Sequence, residues 1–148
     1  MKNANVIADK LGNFLADSYL LYLKTQSFHW NVTGPHFHSL HKMFEEEYVD
    51  LAAAVDLIAE RIRALGFYAP GSFTHYLKLS MLKEQPTIPA DMEMIKELLN
   101  DHETLQKHAL TIFGLAQESD DEVTMDLMIE RMNVHEKTAW MLRSSLPK

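Results

Sequence analysis

The chain has 148 residues, 47% hydrophobic and 24% charged, with a formal net charge of −7 and no cysteine. That length and balance suit one domain, 1–148, with a real core and exclude disorder; the missing cysteines exclude disulfides, thiolate metal sites and Cys nucleophiles. The negative balance argues against nucleic acid, whose affinity rests on Lys and Arg, and suits cations. The opening "MKNANVIADKLG" lacks the continuous apolar core of a secretory signal, and no apolar run approaches the ~20 residues that cross a bilayer. A cytoplasmic protein without a membrane partner is therefore expected.

Residues 5 to 31 read as a first helix, with Ile7, Leu11, Phe14, Leu21 and Phe28 at three- and four-residue steps. Thr33-Gly34-Pro35 breaks it, Gly34 suiting a C′ position and Pro35 the first turn of the next helix. The second helix, about 36 to 65, carries the stripe Phe37, Leu40, Phe44, Tyr48, Leu51, Val55, Ile58, Ile62 and Leu65, and Gly66 ends it. Residues 67 to 88 form a long crossover in which Ser72 can cap a short helix, "FTHYLKLS". A third long helix follows Pro89 and carries Ile95, Leu98, Leu105 and Ile112; a fourth follows "ESDDE" and runs to about Leu142. Four long helices with a long middle connection indicate an all-α, ferritin-like four-helix bundle with a short extra helix in the crossover. "NVT" at 31 to 33 matches a glycosylation sequon, discounted for want of a signal peptide.

The second helix also carries metal-ligand types at both ends. His41 and Glu45 lie near its start and Asp56 and Glu60 near its end, on one flank, with Val49, Ala52 and Ala53 between them. His41 and Asp56 are ~22 Å apart along the axis at ~1.5 Å per residue, so no single ion reaches both. A second copy of the helix, antiparallel across a two-fold axis, brings the acids of one chain beside the imidazoles of the other and makes two identical sites. His29 joins because the turn at 33 to 35 leaves it level with His41. Taken singly, Asp56 and Glu60 read equally as solvated or paired to Arg61 or Arg63, and a lone His beside a core stripe as a hydrogen-bonded helper. As a metal site, imidazoles with carboxylates and no sulfur suit Fe(II), Mn or Zn. No Glu-x-x-His occurs, which argues against a di-iron site within one chain.

The stretch "HWNVTGPHFHSLHKMFEEEYVDLAAAVDLIAERIRALG" closely resembles the signature of the Dps family, DNA-binding proteins from starved cells or mini-ferritins, and the resemblance extends over essentially the whole chain. It implies a hollow shell of twelve subunits with ferroxidase centres shared across two-fold interfaces. By position, His29, His41, Asp56 and Glu60 match the family's iron ligands, and Glu45 an additional acidic position near the second iron. The implied activity is oxidation of Fe(II), preferably by hydrogen peroxide rather than dioxygen, with storage of ferric mineral; zinc can stand in for iron in a purified sample.

Trp30 reads as core packing, while the resemblance puts an aromatic there near the iron, where it can intercept oxidising equivalents. Asp120, Asp121, Glu122 and Asp126 open the last helix, with Ser119 and Glu122 as a capping box. The resemblance adds that this region lines three-fold iron-entry pores, with Glu122 and Asp126 at pore positions beside Asp121. One further acidic pore position of some relatives is Gln117 here, beside Glu118. His36, His38, His75, His102, His108 and His135 show no supporting pattern. Relatives that bind DNA usually use a Lys-rich tail, which this chain lacks; twelve copies would carry about −84 and repel phosphate. A nucleoid-compacting protein with secondary iron chemistry and a metal-free helical oligomer are the competing readings.

Overall fold

The computed structural model describes residues 1–148 as five helices: α1 (Ala4–Asn31), α2 (Phe37–Ala64), α3 (Phe73–Leu79), α4 (Asp91–Glu118) and α5 (Glu122–Ser144). α1 pairs with α2 and α4 with α5; α1 also packs on α4, α2 on α5, and α3 lies on α1. Two contacts fix the directions. Asp91, at the start of α4, lies against Gly34 in the α1–α2 turn, and Asn3 at the start of α1 reaches Ser119 at the end of α4. The connection from α2 to α4 therefore runs the length of the bundle, as the long crossover requires.

The apolar stripes meet in one core. Ile7, Leu11, Phe14, Leu21 and Phe28 of α1, Leu40, Phe44, Leu51, Ile58 and Ile62 of α2, and Ile95, Leu98, Leu105 and Ile112 of α4 are all buried. Each such side chain contributes about 1.5–3 kcal/mol of transfer free energy. Phe37 departs from its stripe: it is 43% exposed and stacks on the His41 ring instead, with centroids 5.0 Å apart.

Gly66 has φ +99°, with Phe67 N–H donating to Ile62 O and Gly66 N–H to Arg63 O, a Schellman closure of α2. The same closure ends α4, where Asp120 takes φ +54° and Asp121 N–H donates to Ala116 O. This corrects the expected capping box. Ser119 is used up as the C-cap of α4, so Asp121 becomes the N-cap of α5 and accepts from Thr124 N–H. Gly34 is corrected likewise. α1 ends at extended Val32, whose N–H donates to Phe28 O, and Gly34 with φ +117° turns the chain two residues later, leaving Pro35 just outside α2. Ser72 caps α3 as expected, accepting from His75 N–H.

α3 and the strap after it are tied to α1 by polar anchors. The Asp17 carboxylate, fully buried, accepts from Ser80 Oγ–H and from Met81 and Leu82 N–H, and Asn13 Nδ2–H donates to Leu79 O. No helix is long and apolar enough to cross a membrane.

Candidate metal centre

The turn at 32–36 brings the last turn of α1 beside the first turns of α2, and the two imidazoles meet there. His29 Nδ1–H donates to the His41 carbonyl at 2.6 Å, and His41 Nδ1–H donates to the His29 carbonyl at 2.7 Å. A carbonyl only accepts, so each ring carries its proton on Nδ1 and keeps the Nε2 lone pair for a ligand. This is the arrangement in which an outer hydrogen bond orients a metal-binding histidine. The rings stack at 3.9 Å with 12° between planes, between Phe37 on one side and the edge of Tyr48 on the other. His29 Nε2 lies 3.7 Å from Glu45 Oε1, so a lone pair and a carboxylate face each other across a gap that a cation would fill.

The other two expected ligands are elsewhere in the chain. Asp56 and Glu60 are exposed on the same flank of α2, nearer its far end, with exposed Val49, Ala52 and Ala53 between them and the imidazoles. No group of three or more His, Cys, Asp or Glu side chains converges within one chain to hold a metal. The arginines that offered an ordinary explanation of the acids are engaged elsewhere. Arg61 donates to Asp121 and Thr124, and Arg63 donates to Phe67 O and covers the Tyr68 ring at 4.6 Å.

Trp30 is 59% exposed, so the core-packing reading of it fails in this chain. Of the acidic residues opening α5, Glu122 and Asp126 are exposed, but Asp121 is not. Its buried carboxylate caps α5 and pairs with Arg61 at 2.9 Å, so it is a structural anion neutralised by its partner rather than one facing solvent.

A buried polar network passed unnoticed in the sequence. Arg131 pairs with Asp50 and donates from Nη2 to His135 Nε2 at 3.3 Å. That fixes the His135 proton on Nδ1, which donates to His102 Nδ1 at 2.9 Å and leaves the His102 proton on Nε2, 3.6 Å from Glu47 Oε1. Burial raises the Glu47 carboxyl above its usual range, opposed by His102, and lowers His135 well below its own, with His102 and Arg131 adding to the effect. The legible signal was position: Glu47, His102, Arg131 and His135 all occupy core-stripe registers of their helices.

Residues 8–148 match the model of the ferritin-like domain family. The chain is 36% identical over 140 residues to DNA protection during starvation protein 2 of Bacillus anthracis, covering 95% of this chain and 96% of that one. A Dps protein from Bacillus brevis superposes with a TM-score of 0.94 at 31% identity, covering 97% of each chain. The Dps protein of Vibrio cholerae O1, described as a member of a broad superfamily of ferritin-like diiron-carboxylate proteins, gives 0.93 at 34% identity, over 96% of this chain and 89% of that one. With its four-helix bundle, its crossover helix and these relatives, the chain belongs to the Dps family of ferritin-like proteins.

Proposed function

We propose that the protein is a ferroxidase and iron store whose active site is shared by two chains across a two-fold axis. The observation that carries this is the crossed pair of imidazole–carbonyl bonds, which leave two Nε2 lone pairs free, that of His29 beside Glu45, while the matching acids stand unpaired on the same flank. In an antiparallel pair of α2 helices, His29, His41 and Glu45 of one chain meet Asp56 and Glu60 of the other. Exposed Ala52 and Ala53 let the helices approach closely. Mixed N and O ligation with open positions suits iron, and zinc can occupy the same donors. Fe(II) held there is substrate: each ion gives one electron, and two ions match the two electrons that reduce hydrogen peroxide to water.

Removing Fe(II) and peroxide together protects DNA without touching it, which fits the name of the Bacillus anthracis relative and the charge of −7. The assembly in this reading is a cytoplasmic shell of twelve chains storing ferric mineral. Glu122 and Asp126, exposed in the first turns of α5, line its iron-entry pore and raise the local cation concentration.

Stopped-flow Fe(II) oxidation with hydrogen peroxide and with dioxygen, alongside a mass measurement of the assembly, tests the proposal. Fast oxidation with peroxide by a dodecamer is expected. Oxidation no faster than in buffer would remove the ferroxidase reading. Duplex DNA retarded at sub-micromolar protein, neutral pH and physiological salt would favour nucleoid compaction instead.

A further inference from the structure

Phe37 belongs by register to the buried stripe of α2, yet its ring is 43% exposed and lies over His41, with centroids 5.0 Å apart and 22° between planes. Its N–H donates to Gly34 O at 3.1 Å, so the turn that sets His29 level with His41 also sets Phe37 over the pair. The result is a short column, with Phe37 outermost, then His41, then His29 at 3.9 Å and 12°. Phe37 covers the face of His41 that His29 leaves open.

The two imidazoles differ in what surrounds them. His29 Nε2 has Glu45 Oε1 at 3.7 Å, whereas no carboxylate of the chain pairs with His41. An imidazole that gives its Nε2 lone pair to a cation takes on part of the positive charge. Two rings charged in that way would face each other at 3.9 Å, a repulsive arrangement. An aromatic face is electron-rich and attracts a cation held over it within ~6 Å. A leucine would keep water off His41 equally well, but it has no such face.

Resting on the metal-centre reading above, we propose that Phe37 is a positioning residue of that centre, whose ring face stabilises the metal-bound form of His41 over the free form, as the Glu45 carboxylate does for His29. It acts through the His41 ring. It also covers that ring on its solvent side while His41 Nδ1–H donates to the His29 carbonyl, so the proton stays on Nδ1 and Nε2 stays open to the ion.

The test uses the assembled full-length protein and Co(II) alone, whose visible bands report ligation without turnover. At pH 8, Co(II) is titrated into wild type and into proteins in which Phe37 is replaced by phenylalanines carrying one, two and three ring fluorines. These keep the shape of the ring and drain its face of electron density. Co(II) binding is expected to weaken stepwise along the series, while thermal unfolding of the metal-free protein stays constant. Phe37→Leu, which removes the face altogether, is expected to weaken binding about five- to thirty-fold. Affinity that is flat across the fluorine series overturns the proposal, because shape and cover alone then suffice. So does Phe37→Leu that binds Co(II) as tightly as wild type. Wild type with no Co(II) bands, or His41→Ala with undiminished bands, overturns the metal-centre reading itself, a result distinguishable from Co(II) bound alike by every ring.

Discussion

His135 is fully buried, with Phe14 of α1 edge-on to its ring, His102 of α4 at its Nδ1 and Arg131 of its own helix at its Nε2. Burial and those two neighbours hold it neutral in the fold, while the unfolded chain takes up a proton near pH 6.5. Between the depressed folded value and 6.5 the unfolded state binds more protons. Stability from this residue is therefore complete above pH 6.5 and is lost as pH falls below it. Glu47 and Asp101 have the opposite sign: burial raises both carboxyls, so their protonation on acidification favours the fold. Replacing His135 with Gln, whose amide can both accept from Arg131 and donate to His102, isolates the histidine. Urea unfolding at pH 7.5 and 5.5 should show wild type losing more stability than His135→Gln on acidification. Equal losses would mean the buried histidine contributes nothing to acid sensitivity. Residue roles of this kind were hardest to read in the sequence, because a buried proton arrangement depends on partners from three helices.

Elements were legible wherever a period or a strong punctuator governed them. The stripes of α1, α2 and α4 set which faces are buried, and Gly66 stopped α2 where a left-handed residue was needed. What escaped was the end geometry at Ser119, because a Schellman turn and a capping box compete for the same residues and the choice rests on Asp120 adopting φ +54°. Gly34 is the element-scale position most closely coupled to the centre, since its turn sets His29 level with His41. With φ +117°, and a Cβ that would sit 3.2 Å from Asp91 Oδ2, Gly34→Ala should cost about 1–3 kcal/mol. It should also loosen the crossed imidazole bonds. Thermal unfolding and Fe(II) oxidation should both suffer, whereas Gly66→Ala, strained at φ +99° but with open space around its Cβ, should lower stability alone. Equal activity in the two variants would uncouple the turn from the site. On α2 itself, Ala53→Leu should weaken the proposed two-fold contact by crowding close helices. An assembly of undiminished stability would show that this flank is not a helix–helix contact.

At the scale of the whole molecule, the bundle and its crossover were readable from helix lengths and proline placement. The proposed sharing of the site was signalled only by a contradiction, since one helix carries ligand types ~22 Å apart at ~1.5 Å per residue. A single chain cannot resolve that contradiction, but two kinds of chain can. One variant lacks the imidazoles, with His29→Ala and His41→Ala, and another lacks the acids, with Asp56→Ala and Glu60→Ala. Each alone should lose most ferroxidase activity, because every site in it is half empty. Unfolded together in equal amounts and reassembled, they pair at random, and about half the two-fold interfaces join one chain of each kind. At such an interface the intact imidazoles of one chain meet the intact acids of the other, while the second site there lacks both halves. About one quarter of all sites are then whole, so peroxide-driven Fe(II) oxidation should return to roughly a quarter of the wild-type rate. Sites built within one chain would regain nothing from mixing. A mixture no more active than its parents, with chain exchange verified by mass spectrometry, would therefore exclude the shared centre.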